Sequence, residues 1–344
     1  MRDPGKVAVV GVTGYAGFEL AKLLLRHPAV QAPVFYLRDP QGAQCLHEIF
    51  PQLRGCGDAP CRKLSVEAII ASDAGAAFLS TPAEVSAEIA PALLAAGLRV
   101  VDLSGAFRFR DANTFAQWYK LPAPPTGLLA EAVYGLPEIY GQALPKARLV
   151  ANPGCYPTAV ILGLKPLAAE GWIAAGRGVV CDCKSGASGA GKEPKRELHF
   201  VEVDENARAY NLFTHRHTPE ITDHAGVPAA EIIFSTHLLP LARGLLATIY
   251  VWLERPRQAE EVEALYRRFY AGRPMVRIWS HAAGLPELQH VAQTNFCDIG
   301  FALDARGERL IVVSCLDNLG KGAAGQAIQN LNGMLGVAEH IGLQ

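Results

Sequence analysis

The chain has 344 residues, half of them hydrophobic and 19% charged, with a formal net charge of −1. That length supports two domains with cores of their own, and the near-neutral balance supplies no global field to recruit nucleic acid or an anionic membrane. No apolar run approaches the roughly 18 to 20 residues of a membrane helix and the start reads as a strand, not a cleavable leader, so the cytoplasm is the expected location.

Residues 7–10, Val-Ala-Val-Val, form a short apolar strand that runs into Gly11-Val12-Thr13-Gly14-Tyr15-Ala16-Gly17 and then a helical stretch over 21–26. Further strands are expected at 33–37, 76–79 and 98–103, with a helix over 85–96. Apolar strands alternating with helices predict a parallel, doubly wound sheet. Past residue 150 the strands lengthen, at 179–183, 231–237, 245–252, 296–303 and 310–314, and few helices separate them, the best at 262–270. That pattern predicts an α+β domain on a mainly antiparallel sheet. A last helix, 323–335, has small and apolar residues on most faces, so it must be buried. The expected organisation is 1–150, 151–316 and a terminal segment 317–344 packing back on the first domain.

Gly11, Gly14 and Gly17 sit where a backbone can approach a pyrophosphate at a helix start, although G-x-x-G-x-x-G departs from the usual dinucleotide fingerprint. At the end of the second strand Arg38 could pair with a 2′-phosphate, and Asp39 beside it competes as a ribose ligand. Arg108, after Asp102-Leu103-Ser104, is either an anion clamp at the end of a parallel strand or a surface ion-pair partner.

Ala151-Asn152-Pro153-Gly154-Cys155-Tyr156-Pro157 carries the strongest chemical signal. It sets Cys155 on a tight turn before a helix, with Pro157 suited to the first helical position. Orphan N–H groups there stabilise a thiolate and could hold an oxyanion. The alternative is a small buried hydrophobe, the common fate of a free cysteine; the turn favours a nucleophile. The other cysteines form no Cys-x-x-Cys pair and read as reduced thiols, with Cys181 and Cys183 on one face of a strand and packed in the core.

Residues 184–192 form a small-residue loop between two lysines that lacks the order of a phosphate-binding loop, since Glu193 follows Lys192; it reads as a flexible loop beside a cofactor. In His215-Arg216-His217-Thr218-Pro219-Glu220, Thr218 reads as a helix cap, and His217, with His215 as the alternative, as a base for the thiol. With no third candidate ligand nearby, the histidine pair predicts no metal site.

Taken together, residues 11–17, Asp102-Leu103-Ser104, Val133-Tyr134-Gly135-Leu136-Pro137-Glu138, 151–159, 185–191, 215–220 and Lys321-Gly322-Ala323-Ala324-Gly325-Gln326-Ala327 resemble the N-acetyl-gamma-glutamyl-phosphate reductase family of the semialdehyde dehydrogenase group, nearly end to end and in order. The resemblance implies a Rossmann-like domain followed by an α+β domain, NADP as cofactor, and reduction of an acyl phosphate to an aldehyde through a thioester on Cys155, with release of phosphate. It implies substrate contacts at Arg108, with Ser104, Tyr210 and Glu220 as further candidates. Cofactor contacts are expected at Gly11, Thr13, Gly14, Tyr15, Ala16, Gly17, Arg38, Ser185, Gly186 and Asn318. It also implies a homodimer or homotetramer built through the second domain's sheet. Two segments depart from the family pattern: Ser80-Thr81-Pro82-Ala83 stands where Leu-Pro-His-Gly is usual, and residues 38–42 where serine-arginine-serine is usual. A reductase for a related acyl phosphate, aspartyl or carrier-linked aminoadipyl, and a non-enzymatic NADP sensor are the competing readings.

Overall fold

The computed structural model describes residues 3–56 and 59–343. The chain forms two compact units, Met1–Pro153 with Ala323–Gln344 and Gly154–Gly322.

In the first unit, seven strands lie in the order β3-β2-β1-β4-β5-β7-β6: β1 Lys6–Val10, β2 Gln31–Leu37, β3 Cys61–Lys63, β4 Ala76–Leu79, β5 Arg99–Asp102, β6 Val133–Tyr134 and β7 Leu149–Ala151. Every pairing is parallel. β1 is apolar throughout because both of its faces are covered. Val7 and Val9 share a core with Leu20 and Leu24 of the helix Tyr15–Leu24, while Ala8 and Val10 pack with Ile89 and Leu93 of the helix Ala83–Ala95. The strand order reverses between β1 and β4, which makes the carboxyl ends of these strands the switch point where sheets of this kind bind ligands.

The second unit has a seven-stranded mixed sheet in the order β12-β13-β14-β11-β8-β10-β9: β8 Val179–Gly186, β9 Arg208–Tyr210, β10 Ile232–Leu239, β11 Leu245–Trp252, β12 Val276–Ile278, β13 Cys297–Leu303 and β14 Arg309–Leu316. Its pairings are antiparallel apart from β8 with β10 and β12 with β13. The helix Cys155–Ala169 packs on β11 and β14, and it can sit close because a side chain at Gly163 would stand 2.7 Å from Ile249 Cδ1. Pro166 inside this helix has no N–H for the carbonyl of Leu162, and the hydroxyl of Tyr270 donates to that carbonyl at 2.6 Å instead. Tyr266 donates its hydroxyl to the neighbouring carbonyl of Gly163 at 2.5 Å. Cys181 and Cys183 are fully buried in β8, as expected of its inward face. The opposite face of the sheet carries exposed Ile233 and Tyr250, together with Trp252 and Ile311 around a shallow depression. It also carries Asp182, which is paired with Lys184 and accepts from Ser235 Oγ at 3.0 Å.

The last helix, Gly325–Leu335, follows a π turn at Gly320–Ala324 and belongs to the first unit, where Ala327, Ile328 and Leu331 join the core of Val7 and Leu20. Its burial does not come from apolar residues alone. Gln326, Gln329, Asn330 and Asn332 are all fully buried. Gln329 donates to Glu138 at 2.8 Å, Asn330 to Asn152 Oδ1 at 3.0 Å and to the carbonyl of Gly135 at 2.8 Å, and Asn332 to the carbonyls of Glu339 and Ile341. Such bonds offset the cost of taking amides out of water. Among the described residues no helix is long and apolar enough to cross a membrane, and no group of three or more His, Cys, Asp or Glu is placed to hold a metal ion.

Candidate active site

The turn after β1 is shaped by what its glycines leave out. Gly11 has φ +88°, and a Cβ there would lie 2.2 Å from the carbonyl oxygen of Ser80; a Cβ on Gly17 would lie 2.2 Å from that of Gly11. These two glycines let strand, turn and helix close on one another. Gly14 differs. It is the N-cap of the helix Tyr15–Leu24, with no side-chain cap and no acid in the first turn, and nothing stands nearer than 4.0 Å to its missing Cβ. The resulting hollow opens onto the N–H end of a helix, with Thr13 and Tyr15 exposed and Ala16 half-buried at its rim. It fits the pyrophosphate of a dinucleotide. At the end of β2, Arg38 is exposed, whereas Asp39 turns its carboxylate into its own loop, accepting from the N–H of Gln41 at 2.9 Å. Ser80 backs Gly11 with its main chain and Thr81 with its methyl group, contacts that do not require the family's histidine.

After β5, Asp102 is fully buried and accepts from the N–H and hydroxyl of Ser104 at 3.1 and 2.8 Å. Burial raises its pKa, against the opposing pull of Ser86, Ser104 and Arg108. The hydroxyl of Ser104 also accepts from the N–H of Ala106, so this serine holds the turn. Arg108 is buried too, but its guanidinium is anchored by main-chain carbonyls: Nε donates to Asn152 at 2.9 Å and a terminal nitrogen to Leu103 at 3.1 Å. These carbonyl anchors orient the group, and Asp102 lies close enough to feel its charge.

The cysteine turn lies in the second unit. The helix starts one position earlier than the sequence suggests: Gly154 is its N-cap and Cys155 its first residue, with Pro157 third, where a missing N–H still costs nothing. Cys155 is half-buried, whereas Cys61, Cys181, Cys183, Cys297 and Cys315 are buried. Burial pushes the thiols of Cys61 and Cys181 up to about 11 and about 12. Two residues of the His-Arg-His-Thr-Pro-Glu segment close on Gly154. The N–H of Gly154 donates to Glu220 Oε1 at 2.7 Å, with Glu220 fully buried. The ring of His217 lies against the other side, where a Cβ on Gly154 would stand 2.4 Å from Nε2. Only glycine lets this imidazole reach the residue preceding the thiol. Thr218 does not cap the next helix; His217 occupies the N-cap position and Thr218 is the first residue of Thr218–Ala225.

His215 is boxed by aromatic rings, edge-on to Tyr156 and Phe234 at 5.5 Å and to Tyr210 at 5.7 Å. Its Nδ1 accepts from the N–H of His217 at 3.1 Å, so the proton of the neutral ring is assigned to Nε2. Desolvation, with a smaller contribution from Arg216, lowers its pKa to about 4. A base that weak stays neutral near pH 7 and draws little on a thiol proton. Between the two histidines, the geometry favours His217. The Tyr210 hydroxyl pairs with that of Tyr156 at 3.0 Å, and burial pushes it up to about 12.

Ser185 and Gly186 end β8, and 187–190 continue as a 3-10 turn rather than a loose loop. The N–H of Ala187 donates to the carbonyl of Leu241 at 2.7 Å and that of Gly186 to Gly244 at 2.8 Å. Asn318 lies across this turn: Oδ1 accepts from the N–H of Gly244 at 2.8 Å and Nδ2 donates to Ser188 Oγ at 2.9 Å. Both ends of its amide serve the protein.

Within the second unit, Cys155, Tyr210, His215, His217 and Glu220 thus form one cluster, and Ser185, Gly186 and Asn318 another; Gly322 touches the first, since a Cβ there would stand 2.8 Å from that of Cys155. Arg108, Ser104, Arg38 and the glycine turn belong to the first unit. The sequence reading missed Tyr156, Asp317, Arg243 and Asn152. Asn152 and Tyr156, both inside the cysteine motif, carried a signal that could have found them.

A parallel dinucleotide-type unit and a mixed-sheet unit with a helix-start cysteine suit a dehydrogenase. The description "Semialdehyde dehydrogenase, NAD binding domain" matches residues 6–147 and "Semialdehyde dehydrogenase, dimerisation domain" residues 155–318, and the chain belongs to that family. Within it, the chain is 46% identical to the N-acetyl-gamma-glutamyl-phosphate reductase of Symbiobacterium thermophilum, over 98% of this chain and 97% of the other. It is 45% identical to the reductase of the same name from Halorhodospira halophila, over 98% of each. It is a member of the N-acetyl-gamma-glutamyl-phosphate reductase family, as the motif resemblance implied. The fold, α/β as expected, is shared with aspartate semialdehyde dehydrogenase II of Vibrio cholerae, complexed with ASA (TM-score 0.72, 16% identity, 96% of this chain and 98% of that). It is shared as well with the aspartate semialdehyde dehydrogenase of Candida albicans, solved with NADP (TM-score 0.71, 17% identity, 98% and 99%).

Proposed function

We propose that the chain catalyses NADPH-dependent reduction of N-acetyl-gamma-glutamyl phosphate to N-acetylglutamate 5-semialdehyde, releasing inorganic phosphate, as a cytoplasmic step of arginine biosynthesis. The observation that carries the mechanism is the packing of His217 against Gly154, one residue before a half-buried cysteine at a helix start. His217 takes the thiol proton as the Cys155 sulfur attacks the acyl carbon, the carbon–oxygen bond to phosphate breaks, and the proton passes to the departing phosphate. The acyl group is then held as a thioester, its oxygen facing the uncapped N–H groups of the Cys155 helix. Bound NADPH supplies the hydride that reduces this carbonyl. The oxyanion left by hydride addition re-forms the carbonyl as the carbon–sulfur bond breaks, aldehyde leaves, and the Cys155 thiolate regains a proton from solvent through His217. Glu220 holds the Gly154 main chain still, and Arg108 receives an anionic group of the substrate. The hollow at Gly14, with Arg38 on the 2′-phosphate, holds the cofactor.

The test is turnover in the reverse direction, with phosphate and NADP, on N-acetylglutamate, aspartate and aminoadipate semialdehydes. N-acetylglutamate semialdehyde is expected to give the highest kcat/KM; preference for either of the others overturns the substrate assignment, and no turnover with any of them overturns the enzyme reading. The chain acts as a homo-oligomer through the open face of the second sheet, a reading supported by the dimerisation-domain match and by Ile233, Tyr250 and Trp252 on that face. Tyr250→Asp should yield a smaller species in light scattering, and an unchanged mass would argue against that face.

A further inference from the structure

The carboxylate of Asp317 is fully buried and accepts through both oxygens. Oδ2 accepts from the N–H of Gln293 at 2.5 Å, and Oδ1 from the N–H groups of Leu319 and Gly320 at 2.8 and 3.1 Å. Arg243 Nε stands 2.9 Å from Oδ2, an ion pair whose N–H direction does not meet hydrogen-bond geometry. The main-chain carbonyl of Asp317 also accepts from Gly322 at 2.9 Å. A buried carboxylate engaged through both oxygens has one orientation available to it. Asp317 therefore fixes the turn 317–322 against two neighbouring loops, around 293 and around 243.

That turn touches chemistry on two sides. Gly322 abuts Cys155, with room for no side chain, and a Cβ on Gly320 would stand 2.4 Å from the carbonyl oxygen of Thr294. One residue after Asp317, the amide of Asn318 binds Gly244 and Ser188, and Gly244 in turn accepts from Gly186. Any shift of the turn is thus felt both at the nucleophile and at the 185–191 segment. We propose that Asp317 is a positioning residue that sets the separation between Cys155 and that segment. The inference rests on the proposed function in one respect, the assignment of the segment to the cofactor. Reduction of a sulfur-bound acyl group depends on this separation, because misplacement of reacting groups by about 1 Å can cost about 100-fold in rate.

Asp317→Asn keeps the shape and fails chemically: whichever way the amide is turned, an NH2 faces N–H donors. Two assays below the variant's own melting transition read the result, alkylation of Cys155 by iodoacetamide as a function of pH, followed by mass spectrometry, and steady-state kinetics with NADPH. The expected result is a displaced alkylation profile together with a raised KM for NADPH and a kcat lower by about 10- to 100-fold. Asn318→Ala should raise the KM for NADPH and leave the alkylation profile at its parental position. A folded Asp317→Asn protein with parental alkylation and parental KM would overturn the proposal. Should Asp317→Asn fail to fold, Arg243→Lys is read by the same assays: smaller shifts of the same sign in both support the proposal, and none in either overturns it. Alkylation needs no substrate or cofactor, so a parent enzyme inactive with NADPH would refute the proposed function, while the effect of Asp317 on Cys155 would still be read by alkylation.

Discussion

Two junctions in this molecule share one backbone device. After β1 and after β7 a strand ends in a short turn whose last residue is a glycine, and that glycine N-caps a helix with extended backbone (φ −77°, ψ 164° at Gly14; φ −70°, ψ 155° at Gly154) and no side-chain cap. Both leave helix N–H groups for a negative charge. What differs is the company. Around Gly14 the space is empty, which suits a phosphate arriving from outside. Around Gly154 it is filled on two sides, by the ring of His217 and by the carboxylate of Glu220, which accepts from the Gly154 N–H. One turn geometry can thus leave the same helix start either open to solvent or packed by side chains, and the proposed roles of Gly14 and Cys155 follow that difference.

The sharpest way to break the comparison is at the sulfur. Cys155→Ser keeps the turn and removes the thiolate, and kcat/KM should fall by at least about 10³-fold; a smaller loss, measured with parental NADPH affinity, would mean the chemistry does not pass through this residue. His217→Asn should cost about 10²- to 10⁴-fold in kcat with little change in NADPH affinity, and His215→Asn clearly less; the reverse ranking would exchange their roles.

The glycines themselves come next. Gly154→Ala drives a methyl group into the His217 ring and should lower stability by about 1–3 kcal/mol along with kcat. Gly14→Ala enters open space, should cost only about 1 kcal/mol or less, and should act on the KM for NADPH. Thermal melts and the KM-against-kcat split for the two variants test the distinction directly. A smaller effect is expected of Arg38→Ala, which should narrow the preference for NADPH over NADH by about tenfold, equivalent to about 1.4 kcal/mol.

Acid stability gives the last contrast. The folded pKa of His215, about 4, lies below its ordinary 6.5, so the unfolded chain takes up the proton first. Stability from the neutral ring is complete above about pH 6.5 and is lost as pH falls toward 4, by roughly 3 kcal/mol at most. His27, also lowered by burial, acts with the same sign. The drop in Tm between pH 7 and pH 4.5 should narrow in His215→Asn; an undiminished drop would mean that the ring is not the buried neutral group described.

Much of the fold was legible because strands covered on both faces are apolar throughout and strands covered on one face alternate, and both patterns are written locally in β1 and β8. The helix starts were less legible. Cys155 and Thr218 proved to be first helical residues, where Pro157 and Thr218 had suggested starts nearby, because the capping positions are taken by Gly154 and His217 through packing and not through side-chain caps. The amides of the last helix were misleading in composition alone, since Gln329, Asn330 and Asn332 are buried on the strength of partners far away in sequence, at Glu138, Gly135, Asn152 and the chain's own end.

The order of residues by itself determined a dinucleotide-type strand, turn and helix, a second sheet, and a cysteine at a helix start, because each is encoded by neighbours within a few positions. Only the tertiary structure decided that His217 packs against Gly154 while His215 is boxed by aromatic rings, that Glu220 grips the main chain of Gly154, and that Asn318 and Asp317 serve a turn beside the thiol. Burial and hydrogen-bond partners set those roles, and both depend on residues brought together from distant parts of the chain, which no local pattern contains.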